Sequence, residues 1–114
     1  MADCLFCKII DKKIPATVVH DDDRVIAFRD INPQAPTHVL VVPRKHVATL
    51  NDVTAEDHAL VGHMVTTAAA IARAEGHADS GWRAVWNVNA GAGQTVFHIH
   101  LHLLGGRLLG WPPG

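Results

Sequence analysis

Apolar and polar residues alternate without interruption from Phe97 to Leu103. Phe97, Ile99, Leu101 and Leu103 fall on one side, and His98, His100 and His102 on the other. A strand turns successive side chains to opposite faces, so the pattern predicts a strand over 96–104 with a core face and a row of imidazoles. Leu5, Phe6, Ile9 and Ile10 recur at helical spacing, which predicts a short amphipathic helix that Ile14-Pro15 ends. Thr17 to His20 and Arg24 to Asp30 form a predicted hairpin around Asp21-Asp22-Asp23. After the turn Asn32–Pro36, the run His38–Val42 reads as a buried strand stopped by Pro43.

One long helix follows. Thr54 is its expected N-cap, Glu56 and Asp57 suit its positive end, and Gly76 is its expected C-cap. Leu60, Met64, Ala68, Ile71 and Ala72 make its core-facing stripe. Trp82 to Val88 supplies a further strand, parted from the last one by a glycine-rich loop. The expected class is α+β: a five-stranded antiparallel sheet with one long helix on a face and a short N-terminal helix. No repeat, linker or low-complexity segment divides residues 1–114, so they are read as a single domain.

Composition narrows the function classes. Hydrophobic residues are 48% and charged residues 18%, which suits a globular chain and not a disordered one. The net charge of −1 leaves no basic footprint for nucleic acid or for an anionic membrane. No apolar run approaches the roughly 18 residues of a membrane span, and MADCLFCKIIDKK lacks a basic leader. A cytoplasmic location is expected. In that compartment Cys4 and Cys7, at Cys-x-x-Cys spacing, suit metal binding or redox chemistry better than a structural disulfide. A thioredoxin-type site needs a preceding strand, and Cys4 stands too near the start for one.

Nine histidines against ten Lys plus Arg is the unusual count. Imidazoles in a row suit nucleophilic or acid–base chemistry near neutrality, their reference pKa being about 6.5. They do not suit a shared metal. Residues four apart on a strand are about 13 Å apart at ~3.3 Å per residue, whereas zinc holds its nitrogens at about 2.1 Å. Two adjacent ones can share an ion. The loop Asn87–Thr95 is neither a Walker A loop nor a dinucleotide fingerprint. Its glycines, amides and hydroxyl suit a single phosphate; as a plain hairpin loop it would need only Gly and Asn at positive φ.

His98-Ile99-His100-Leu101-His102-Leu103-Leu104 resembles the His-φ-His-φ-His-φ-φ signature of the histidine-triad (HIT) nucleotide-binding hydrolases. Phe6–Ile10, Val25–Ile31, Pro36-Thr37-His38, Pro43–His46 and Gly93–Phe97 match as well. Gly105-Gly106-Arg107 and the tail Trp111–Gly114 resemble the purine nucleoside phosphoramidase (Hint-type) branch. The likeness spans nearly the whole chain and implies the activity of that branch: hydrolysis of adenosine-type nucleoside 5′-phosphoramidates with release of AMP through a nucleotidyl-histidine.

By position, the resemblance makes His100 the nucleophile, and His102 and His38 the phosphate-contacting histidines, with His102 a proton donor to the leaving group. Asn87, Gly93 and Thr95 match phosphate-binding positions, His98 is counted among the nucleotide-binding residues, and Asp30 matches a carboxylate that grips the ribose hydroxyls. Phe6, Ile9, Phe28 and Ile31 match an apolar slot for the base. Cys4, Cys7, His46 and His98 match a structural zinc site of some members, and two thiolates with two imidazoles form a suitable tetrahedral set. No other cofactor is implied. The resemblance also implies a purine nucleotide or phosphoramidate ligand and a homodimer with Trp111 near the partner's site. The rival readings are a dinucleoside polyphosphate hydrolase, a nucleotide-binding or interaction module with little catalysis, and a metal-storage protein. His20, His58, His63 and His77 receive no role and are expected at the surface.

Overall fold

Alternation along each strand sorts the side chains into two cores, one on each face of a single sheet. The computed structural model describes residues 3–114; Met1 and Ala2, part of the stretch read for a leader, lie outside the described residues. The elements are α1 (Leu5–Ile10), β1 (Val18–Asp21), β2 (Val25–Arg29), β3 (Thr37–Pro43), α2 (His58–Ala74), β4 (Trp82–Val85) and β5 (Leu101–Gly105). Every pairing is antiparallel and the strand order is β1-β2-β3-β5-β4. This is the α+β class expected from the sequence.

On one face Val25, Ala27, Val39, Val41, Leu101 and Leu103 pack beneath Met64, Ala68, Ile71 and Ala72 of α2. Fully burying one such side chain is worth about 1.5–3 kcal/mol, so this stripe, rather than helix propensity, holds α2 in place. On the other face Ile26, Phe28, Leu40 and Val42 meet Phe6 and Ile9 of α1. Odd-numbered positions of β2, β3 and β5 therefore serve the helix, and even-numbered positions face α1.

α2 starts later than the sequence suggests. A 3₁₀ turn, Ala55–Asp57, precedes it, and the Asp57 carboxylate takes the Thr54 amide at 3.2 Å while pairing with Lys45 at 2.6 Å. Its end is a Schellman closure: Gly76 sits at φ +89° and donates to the Arg73 carbonyl at 3.0 Å, and His77 to the Ala72 carbonyl at 2.9 Å. Leu60 lies half-buried at the margin of the stripe.

Two strands are shorter than expected. β5 begins at Leu101, so residues 96–100 are not strand. The ladder with β3 ends at Val41↔Leu101; beyond it Pro43 has no amide to give, and its carbonyl is taken by the His98 ring at 2.7 Å. β4 then loses its partner after Val85↔His102, so Trp86–Val88 leave the sheet. Phe97, expected under the long helix, is 46% exposed because it stands in this irregular stretch.

Candidate active site and metal cluster

The face opposite α2 carries a cavity of about 610 Å³. Phe6 and Ile9 of α1, Phe28 and Leu40 of the sheet, and Val96 form its apolar lining. Asp30, Thr95, His100 and His102 add polar groups, and Ile31 stands at the rim fully exposed. Phe6 meets the His100 ring edge-on, with centroids 4.9 Å apart. Of the site positions anticipated from sequence, Asn87, Gly93, His38 and His98 are not among the cavity's lining residues; His38 stands behind His102.

Hydrogen bonds fix which nitrogen of each imidazole carries the proton. His100 Nδ1 lies 2.8 Å from the His98 carbonyl oxygen. Only an N–H can donate there, so the lone pair of His100 is on Nε2. The Gln34 backbone N–H donates to His38 Nδ1 at 3.0 Å, which puts the His38 proton on Nε2. That proton meets His102 Nδ1 at 2.9 Å, with Asp30 Oδ2 at 3.5 Å from the same nitrogen. His102 therefore carries its own proton on Nε2. Asn32 holds the other Asp30 oxygen through its backbone N–H at 2.8 Å.

Burial sets the charge state. It lowers the pKa of His38 and of His100 despite the opposing pull of Asp30. His102 falls to about 4, first through burial and then through its histidine neighbours. The free site thus holds neutral imidazoles: a bare nitrogen on His100 beside an N–H donor on His102, with ring centroids 4.9 Å apart. His100 Nε2 can attack an electrophilic phosphorus, and His102 can protonate what leaves it once it has itself taken up a proton.

The outermost histidine turns the other way. His98 is wholly buried, and its Nε2–H donates to Pro43, so Nδ1 presents a lone pair. That nitrogen is 3.4 Å from Cys4 Sγ, 3.5 Å from Cys7 Sγ and 3.1 Å from His46 Nδ1, while Cys7 Sγ to His46 Nδ1 is 3.4 Å. Tetrahedral zinc at about 2.3 Å from sulfur and 2.05 Å from nitrogen separates S and N by about 3.6 Å and two nitrogens by about 3.3 Å. The four residues fit a four-coordinate ion. The Cys7 thiol, pushed up to about 11 by burial and by Cys4, holds its proton until a cation displaces it. Asp30, His38 and His102 also lie within ligand distance of one another. There, however, the Gln34 amide places a proton on the nitrogen a metal would need.

The glycine-rich loop is organised by a residue given no separate role from sequence. Gln94 is buried, donates to the Ala48 and Val96 carbonyls at 2.8 and 3.1 Å, and accepts from the Asn89 amide at 2.8 Å. Asn89 and Gly93 take positive φ, at 65° and 92°. Their turn leads Thr95 to the cavity. The signal in the sequence was a long amide amid glycines, a residue able to stand in for missing strand partners.

The HIT domain pattern matches residues 11–109. The chain belongs to the HIT family. The purine nucleoside phosphoramidase of Escherichia coli K12 is 54% identical over 106 residues, covering 93% of this chain and 89% of that protein. An uncharacterized HIT-like protein of Synechococcus elongatus is 53% identical over 112 residues, 98% of this HIT chain and 97% of its own. Among solved structures, a HIT family hydrolase from Legionella pneumophila superposes with a TM-score of 0.97 at 57% identity, covering 98% of this chain and all of that one. A histidine triad protein from Clostridium difficile gives 0.93 at 43% identity, with 96% of each chain covered.

Three of the histidines expected at the surface of this HIT chain are instead tied in. His63 Nε2 and His20 Nε2 both reach Asp22 Oδ2, at 2.8 and 2.7 Å, which joins α2 to the first hairpin. His77 bonds Thr37 Oγ1 at 2.8 Å. His58 is exposed, as expected.

Proposed function

We propose that this HIT protein is a hydrolase that cleaves the phosphorus–nitrogen bond of purine nucleoside 5′-phosphoramidates, adenosine type, and releases AMP. The observation that carries the reading is the tautomer of His100. Its Nδ1–H is committed to the His98 carbonyl, so a neutral nucleophilic Nε2 belongs to the cavity's histidine wall. The relative named purine nucleoside phosphoramidase supports the substrate class.

The purine lies against Phe6, Ile9, Phe28 and Ile31, and the ribose hydroxyls meet the Asp30 carboxylate. Thr95, with Asn87 and Gly93 of the same loop, and His38 serve the phosphate. His100 Nε2 attacks the α-phosphorus. The P–N bond breaks as the leaving nitrogen takes a proton from His102 Nε2, and the amine departs. Water then attacks the phosphorus of nucleotidyl-His100, gives a proton back to His102 Nε2, and the P–N bond to His100 breaks to free the ring and AMP. The negative charge of the bound phosphoryl group favours protonation of His102, against the burial that disfavours it in the free protein.

Cys4, Cys7, His46 and His98 hold one structural zinc in this reading, which ties α1 to the approach to β5 and supplies no chemistry. The working unit is a cytoplasmic homodimer. The free thiols suit a reducing compartment, and Trp111, which is 82% exposed on its own chain, meets the partner's site in this reading. No described helix is long and apolar enough to cross a membrane.

Adenosine 5′-phosphoramidate hydrolysis, followed by AMP release, tests the reading. Turnover is expected in the wild type and a loss of at least 10³-fold in His100→Ala. Unchanged turnover in that variant removes the nucleophile assignment, and an inactive wild type removes the reaction.

A further inference from the structure

The segment between β2 and β3 carries much of the proposed nucleotide site, and it is not itself a strand. Asp30 opens it and His38 follows its close. On the cavity side it is held by short local bonds: the Asp30 amide to the His38 carbonyl at 2.9 Å, Asn32 to Asp30, and Gln34 to His38. The two residues flanking it, Arg29 and Thr37, send their side chains to the opposite face, where both meet Glu75, although Arg29 also borders the cavity. Thr37 precedes Val39 and Val41 on the helix side of β3, and Arg29 follows Val25 and Ala27 on the helix side of β2.

One carboxylate grips both ends. Glu75, the residue that caps α2, accepts Arg29 Nη1 at 2.7 Å and Nη2 at 2.9 Å, a bidentate fork. Its Oε1 also accepts the Thr37 hydroxyl at 3.0 Å. Because that hydroxyl proton goes to Glu75, the Thr37 oxygen is left to accept from His77 Nε2. The Schellman closure at Gly76 sets both Glu75 and His77. A planar fork and a second donor on one carboxylate fix distance and orientation together. Arg29 is bonded through the chain to Asp30, and Thr37 to His38.

We infer that Glu75 is a positioning residue for the nucleotide site, stapling the ends of the 30–36 loop from the far face of the sheet and so setting Asp30 and His38. This rests on the reading of Asp30 as the ribose carboxylate. Glu75 touches no substrate. Its effect appears as discrimination between sugars, because a displaced Asp30 loses its hydroxyl contacts while the base slot and phosphate contacts stay.

The test is calorimetric titration of AMP and of 2′,3′-dideoxy-AMP into the full chain. The wild type is expected to prefer AMP by at least about tenfold. Glu75→Ala lowers that preference at least fivefold, and Glu75→Gln, which keeps the Thr37 contact, recovers part of it. Arg29→Lys keeps the charge without the fork, lowers the preference as well, and covers the case in which Glu75→Ala fails to fold. Asp57→Asn, at the other end of α2, supplies a destabilised chain with the preference unchanged. A folded Glu75→Ala or Arg29→Lys that keeps the wild-type preference overturns the positioning role. A wild type that binds both nucleotides equally overturns the Asp30 reading and this inference with it. A wild type that prefers AMP but fails to hydrolyse the phosphoramidate overturns only the reaction.

Discussion

His98, His100 and His102 stand two residues apart and end in three different environments, and a single hydrogen bond to each decides its chemistry. Pro43 takes the Nε2 proton of His98 and leaves Nδ1 for the thiols. The His98 carbonyl takes the Nδ1 proton of His100 and leaves Nε2 for phosphorus. His38 feeds a proton to His102 Nδ1 and leaves Nε2–H as donor. His102 also bears on stability. With its folded pKa near 4 and an unfolded value near 6.5, the unfolded chain binds the extra proton between those limits. Stability conferred by the neutral ring is thus full above about pH 6.5 and lost as pH falls toward 4. Urea unfolding of wild type and His102→Gln is expected to show the wild type losing about 2 kcal/mol relative to the variant from pH 7.5 to 4.5. Parallel curves across that range would refute the shift.

At the scale of elements, α2 does more than cover the sheet. Its far end brings His77 against the start of β3 and the end of β5. A Cβ built on Gly105 would come within 2.8 Å of His77 Cδ2. The glycine is therefore required by the histidine, since its backbone conformation suits any residue. Gly105→Ala is expected to cost about 1–3 kcal/mol by overpacking, and adding His77→Ala should return a good part of it. A double variant as unstable as the sum of the singles, measured by urea unfolding, would show the two sites to be independent. The strands, the helix and both core faces were legible in the sequence because periodicity reports burial locally. The ends of β4 and β5 were not. They depend on what Pro43 and His98 do to each other across 55 positions. For the same reason His63 and His77 read as surface residues, since their partners Asp22 and Thr37 lie on other elements, and His20 joins them through the same Asp22. The triad and the cysteine pair were legible as types of chemistry, and Glu75, an ordinary acidic residue at a helix end, carried no mark at all.

The whole molecule is closed by contacts far apart in sequence, and the thiol–imidazole cluster is among those of longest span. It joins residues 4 and 7 to 46 and 98, so α1, the segment after β3 and the approach to β5 meet at one point. α1 has only six residues, too short to be stable alone, and its buried side chains are Phe6 and Ile9. Both line the proposed base slot, and Phe6 also packs on His100. A metal at the cluster would therefore be felt in the cavity as well as in global stability. Free zinc at a hundred times its dissociation constant contributes about 2.7 kcal/mol. With an unfolding entropy of about 2.1 cal/mol/K per residue, that raises Tm by about 10 °C for a chain of this length. Protein purified without added metal is expected to contain about one zinc per chain by elemental analysis. Chelation should lower Tm by about that amount, and Cys4→Ser/Cys7→Ser should hold no metal and ignore the chelator. AMP affinity should fall along with the metal, because α1 would no longer be pinned at Cys4 and Cys7. A metal-free wild type whose Tm is unmoved by zinc would leave the four side chains as packing alone.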